Sequence, residues 1–201
     1  MLLYFCLVNS AKFIRKDKPP VTLAEVFDSC QDIELRHAKL YATLSLMLGN
    51  VDERVARFWE QMSTEEWQHY ILVDFGRSLC ARSFGLNTPA TEMPPVSIQQ
   101  ITQALEKYEE QVVSEQVSLQ EGFEIAIEIE GSEADTVYMY LLSIIRKAIY
   151  QSEETYLLDR IAQIEKDMHT HIDHLIDATK RFAKDPELVR KAYSLKEHHA
   201  H

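Results

Sequence analysis

Residues 22–50, TLAEVFDSCQDIELRHAKLYATLSLMLGN, and residues 51–85, VDERVARFWEQMSTEEWQHYILVDFGRSLCARSFG, read together as two helices joined by a turn. Thr22 stands three residues before Glu25, the spacing of a capping box, and Pro19-Pro20 precedes it, so a helix is expected to start there. Val26, Ile33, Leu40, Leu44 and Met47 recur at helical steps and give that helix one apolar face. Gly49-Asn50 ends it near Leu48. A second helix is expected from about Asp52 to Phe84, stopped by Gly85. So short a connection makes the pair an antiparallel hairpin. Glu34 and Glu66 are equidistant from residue 50, so they should stand at the same height, with His69 one turn from Glu66.

Outward from this hairpin the chain keeps the same character. It has 201 residues but only five glycines and six prolines, four of them in the pairs Pro19-Pro20 and Pro94-Pro95. The long intervening stretches are rich in good helix formers, so the fold class is all-α. Leu86 to Ser97 breaks the pattern, and Ile98 to about Glu115 reads as a short amphipathic helix. A third long helix is expected from Ser118, capped through Glu121, to about Lys147, and a fourth from Ser152 to about Lys184. Asp185-Pro186 then opens a short terminal helix. The implied organisation is an N-terminal arm over 1–20, a four-helix bundle over 21–184, and a short helix and tail over 185–201. Two hairpins joined by one long crossover suit a ferritin-like bundle, which on organisation alone is one all-α option among several.

A formal net charge of −11 argues against nucleic acid as a partner, because phosphates would be repelled. Cys6, Cys30 and Cys80 are far apart and form no Cys-x-x-Cys, which leaves no zinc ribbon or rubredoxin-type iron centre and fits a reducing, cytoplasmic setting. The apolar start, Met1 to Val8, lacks a basic flank and is too short to span a membrane, so it reads as an arm packing on the domain or on a second subunit of a homodimer.

Glu66-Trp67-Gln68-His69 places a carboxylate and an imidazole on one helix face, where both can reach one ion. Alone, such a pair on an acidic helix is more often a solvated surface. Glu34 opposite it, flanked by Ile33, Ala38 and Leu40, shifts the balance, since a buried carboxylate is costly unless paired or metal-bound. Glu133 and Glu165 repeat the 32-residue spacing of Glu34 and Glu66, centred on Ile149, and Tyr140 follows Glu133 by seven as Tyr41 follows Glu34.

On these residues the chain resembles the rubrerythrin-like branch of the ferritin-like superfamily over about Thr22 to Ala183. Glu34 with Tyr41 seven residues on, Glu66-x-x-His69, and Glu130-Gly-Ser-Glu133 match the family's first three helices. The resemblance implies two irons bridged by Glu66 and Glu165, with Glu34 and His69 on one and Glu133 or Glu130 on the other. The fourth helix departs from the pattern. Met168 stands where a histidine is expected, and His169 follows one residue later. Either His169 reaches the ion through a small rotation or π-bulge, or Met168 fills the position and the second site lacks its nitrogen. His171 and His174 lie among Asp, Thr and Lys and read as a wet face; His37 reads as a partner of solvent or Glu34; His198, His199 and His201 form a frayed tail. Tyr41, Tyr138 and Tyr140 read as core residues, a hydroxyl among them able to orient a ligand carboxylate.

Such a ligand set suits two Fe ions, with Mn or Zn as other candidates. The expected activity is reduction of peroxide or O₂ with electrons from a separate donor protein, since the family's usual rubredoxin module is missing. The alternatives are iron storage with ferroxidase chemistry and a structural bundle whose site has decayed.

Overall fold

A computed structural model describes residues 20–199 except Val96, Glu115, Gln116 and Glu133; the side chains of residues 134, 135, 160, 164, 165, 167–169 and 197–199 are likewise outside the description. Among the described residues regular structure is helical, apart from one β-bridge between Thr22 and Pro89. Helix α1 runs Leu23–Leu48 and α2 Glu53–Ser83; α3, Ile98–Ser114, lies within the connection. Then follow α4 (Leu119–Glu130), α5 (Ala134–Ser152), α6 (Leu158–Ala178) and α7 (Pro186–His199). The N-terminal arm expected over 1–20 lies almost wholly outside the described residues.

The first hairpin forms as its sequence dictates. Thr22 and Glu25 close a reciprocal capping box, and Asp52 accepts the Arg54 amide at 2.8 Å to start α2. Gly85 adopts φ +78° beyond the end of α2, a conformation that favours glycine. Antiparallel register is fixed by cross-hairpin bonds, Ser45 Oγ to Ala56 O at 3.0 Å and Ser63 Oγ to Ala38 O at 2.8 Å. The connection after Gly85 is pinned to the start of α1 by Leu23 N to Thr88 O (2.9 Å) and Ala90 N to Val21 O (2.8 Å). Helix α3 lies along α1, where Arg36 grips Glu109 through two bonds of 2.8 and 2.7 Å.

The second half is built differently from its expectation. The single third helix over Ser118–Lys147 is two helices: α4 ends at Glu130, and Gly131 and Ser132 bond back to Ile127 and Ile129 before α5 begins. The descent to the fourth helix also comes later. Ser152 ends α5 rather than capping α6, and a 3₁₀ turn, Thr155–Leu157, leads into α6. A π-helical turn does occur, but at Thr179–Ala183, whereas the backbone through residues 165–169 is ordinary α-helix. Lys184 in the left-handed region ends that segment, and Asp185 caps α7 through the Glu187 amide at 2.8 Å.

The core between these helices is aromatic at one end. Trp59 packs against Tyr41, Phe58 and Phe123 with ring centroids 5.7, 4.7 and 5.0 Å away, and Gly122 lets α4 approach Leu44, Leu48 and Trp59. Helices α2 and α5 meet at Gly76, where the Ile145 side chain occupies the space a Cβ would need. Helix α7 packs across α4 and α6, with Leu195 seated over Gly131. No helix among the described residues is long and apolar enough to cross a membrane.

Candidate metal centre

At the height set by Ala38 and Ser63, the hairpin turns its acidic and basic donors inward. Glu34 and His37 on α1, and Glu66 and His69 on α2, are all buried, Glu66 to 2 % exposure. His69 Nδ1 lies 3.2 Å from Glu66 Oε2 and 3.5 Å from Glu34 Oε2. One ligand atom each of Glu34, His37 and Glu66 falls within 4.8 Å of the others.

The other Glu66 oxygen faces the second half of the molecule. His171 Nε2 stands 3.2 Å from Glu66 Oε1 and 3.1 Å from Glu130 Oε1. Glu66, Glu130 and His171 thus form a second compact group that shares Glu66 with the first. The Tyr41 hydroxyl donates to Glu130 Oε1 at 2.5 Å and fixes that carboxylate's orientation, the role anticipated for a tyrosine here. Glu65 fixes His171 from behind, its Oε2 2.7 Å from Nδ1, and also meets His174 Nδ1 at 3.1 Å. The Tyr138 ring lies 5.1 Å from that of His69.

Of the residues expected at the site, Glu34, Glu66, His69 and Glu130 come together. Glu133, and the side chains of Glu165, Met168 and His169, lie outside the described residues. The expectation for His171 is overturned: instead of a wet face it is 3 % exposed and stands beside Glu66 and Glu130. Its neighbour His174 is partly exposed at the rim. His37 does not face solvent either. Tyr140 is no counterpart of Tyr41, since its hydroxyl donates to Thr91 O at 3.0 Å, at the crossover loop. His171 had a readable signal: Ile172, Leu175 and Ile176 mark the inner face of α6, and position 171 lies beside Leu175 on it. Acidic and hydroxylic neighbours in the sequence obscured that phase.

The buried acids and imidazoles shift one another's ionisation. Burial opposes ionisation of Glu66, but the facing His171 and His69 hold its carboxyl well below the usual range. Burial likewise disfavours a charged His69, yet Glu34 and Glu66 push it up to about 10, and Glu130 and Glu66 raise His171 well above its ordinary value. Glu34 is left raised, chiefly by burial and by the Glu66 charge, against the pull of His69. Four carboxylates, Glu34, Glu65, Glu66 and Glu130, face four imidazoles, His37, His69, His171 and His174. His37 Nε2 is buried with no hydrogen-bond partner. Buried carboxylates, imidazole nitrogens aimed between them and an unsatisfied ring nitrogen are the donor chemistry of a divalent metal site, and these groups could hold such an ion. A pocket of about 760 Å³, lined by Glu65, Gln68, His69, Leu72, Phe75 and His174, opens beside the centre between α2 and α6.

Comparison with protein-family models, with curated proteins and with solved structures yields no match for this chain.

Proposed function

We propose that this protein is a ferritin-like, two-metal oxidoreductase that resembles rubrerythrin, reducing peroxide or O₂ with electrons from a separate donor. The observation that carries the reading is the position of Glu66, whose two oxygens face two different donor groups. Glu34 and His69 would hold one ion, Glu130 and His171 the other, and the Glu66 carboxylate would lie between them. Two ferrous ions there would supply the two electrons that, with two protons, convert one H₂O₂ to two waters. Tyr41 keeps Glu130 oriented, and Glu65 keeps the Nε2 of His171 aimed at the centre. The pocket beside His69 gives a small oxidant a route inward, while the buried surroundings limit water. Iron is the favoured metal, with Mn or Zn as substitutes for the same donors.

Anaerobic protein loaded with Fe(II) and mixed rapidly with one equivalent of peroxide is expected to oxidise its iron once and then stall until reductant is added. Glu66→Ala should abolish that phase, because the ligand common to both ions is gone. If the loaded protein reacts no faster than free Fe(II), the oxidoreductase reading is abandoned. A structural reading has one observation in its favour: His69 and His171 pair directly with the buried carboxylates. Retention of no metal by purified protein supplied with Fe(II) or Zn(II) would select it.

A further inference from the structure

The first hairpin carries two copies of one short pattern, Glu34-Leu-Arg-His37 on α1 and Glu66-Trp-Gln-His69 on α2. In a helix, residues three apart share a face, so each pattern turns a carboxylate and an imidazole in the same direction. The bond from Ser63 Oγ to Ala38 O sets the two patterns side by side. All four residues are buried, and ligand atoms of Glu34, His37 and Glu66 lie within 4.8 Å of one another, with His69 Nδ1 3.2 and 3.5 Å from the same two carboxylates.

His37 is the member without an assigned task. It is 5 % exposed, and its Nε2 has no hydrogen-bond partner. Buried imidazole nitrogens are otherwise satisfied by protein or water, so a buried ring with an orphan nitrogen, grouped with the Glu34 and Glu66 carboxylates, calls for a ligand. We infer that His37 is a metal ligand, and that Glu34, His37 and Glu66 form the core of a divalent-cation site built by the α1–α2 hairpin alone, to which His69, paired with the same two carboxylates, adds a donor. The inference rests on the two-metal reading and adds a nitrogen to its first position. That position has two imidazoles, Glu34 and one oxygen of Glu66; among the described residues the other has Glu130, His171 and the second oxygen of Glu66. The two nitrogens of the hairpin position favour Zn(II), Co(II) or Fe(II) over Mg(II) or Ca(II).

Zn(II) titration of chelator-treated protein against a competing indicator tests this. The wild-type chain is expected to bind two ions. His37→Gln should weaken one step by about tenfold or more and leave the other, whereas His171→Gln should do the reverse. Co(II) gives a second readout. In His37→Cys a thiolate-to-cobalt charge-transfer band, absent from the wild-type spectrum, should appear as Co(II) is added, because only a residue touching the ion can produce it. If both His37 variants fold by circular dichroism, bind Zn(II) with wild-type affinities and show no new band, His37 is a packing residue and the inference is overturned while the two-metal reading stands. If the wild-type protein binds neither Zn(II) nor Co(II), the metal-centre reading itself falls.

Discussion

Glu66 and His171 are the buried residues that join the two halves of the candidate site, and they were not equally legible in the sequence. Glu66 belongs to a motif whose partner, Glu34, sits at a matching distance from a turn marked by Gly49-Asn50. His171 is marked only by the apolar phase of its helix, and no turn sets its height. The reading of the second hairpin assumed two uninterrupted helices, but the chain breaks after Glu130 and turns late, at Thr155–Leu157. In the metal-free protein His171→Ala leaves buried Glu66 and Glu130, and half-buried Glu65, around a missing cation, so a loss of about 3–5 kcal/mol is expected in urea unfolding. The pH dependence follows from the same groups. His69 is raised from 6.5 to about 10, so its contribution is fully present below pH 6.5 and fades as pH rises through 10. Glu66 is depressed, so its contribution is present above 4.5 and is lost as pH falls below that. Chelator-treated protein should therefore show its highest melting temperature between about pH 4.5 and 6.5. Zn(II) must displace protons from the imidazoles, so the extra stability it confers should grow towards alkaline pH, as a melting series with and without Zn(II) would reveal.

At the scale of the elements, caps and breakers were informative and tertiary contacts were not. Thr22, Asp52, Ser118 and Asp185 each cap the helix their sequence context announced. The interruption at Gly131 was not foreseen, since a lone glycine inside an apolar helical pattern is compatible with continuation. The glycine there lets α7 approach closely, because Leu195 packs where a side chain would stand. Gly76 shows the same logic in a helix that does continue. A Cβ there would fall 2.1 Å from Ile145 Cδ1 and 2.5 Å from its Cγ1, and Ile145 is fully buried. Gly76→Ala improves helix propensity yet forces α2 and α5 apart, so a net destabilisation of about 1–3 kcal/mol is expected in urea, with metal stoichiometry preserved.

At the scale of the whole molecule, the all-α class followed from composition and the hairpin–connection–helices order from a few punctuating residues, while the assembly of the second half depended on contacts between residues far apart in the chain. Helix α7 is bound to α4 by Lys191 on Glu124 at 2.9 Å and to α6 by Lys196 on Asp173 at 2.5 Å, and so braces the two helices that carry Glu130 and His171. The two sides of the candidate centre are therefore expected to assemble at different stages of folding. Glu34, His37, Glu66 and His69 lie on a helical hairpin closed by a short turn, a local contact expected to form early. Glu130 and His171 are 41 residues apart and meet Glu66 through the docking of α4 and α6. On the proposed two-metal reading, a nascent or partly opened chain would already hold the hairpin's donors, and an ion captured there would act as a template on which the rest of the molecule closes.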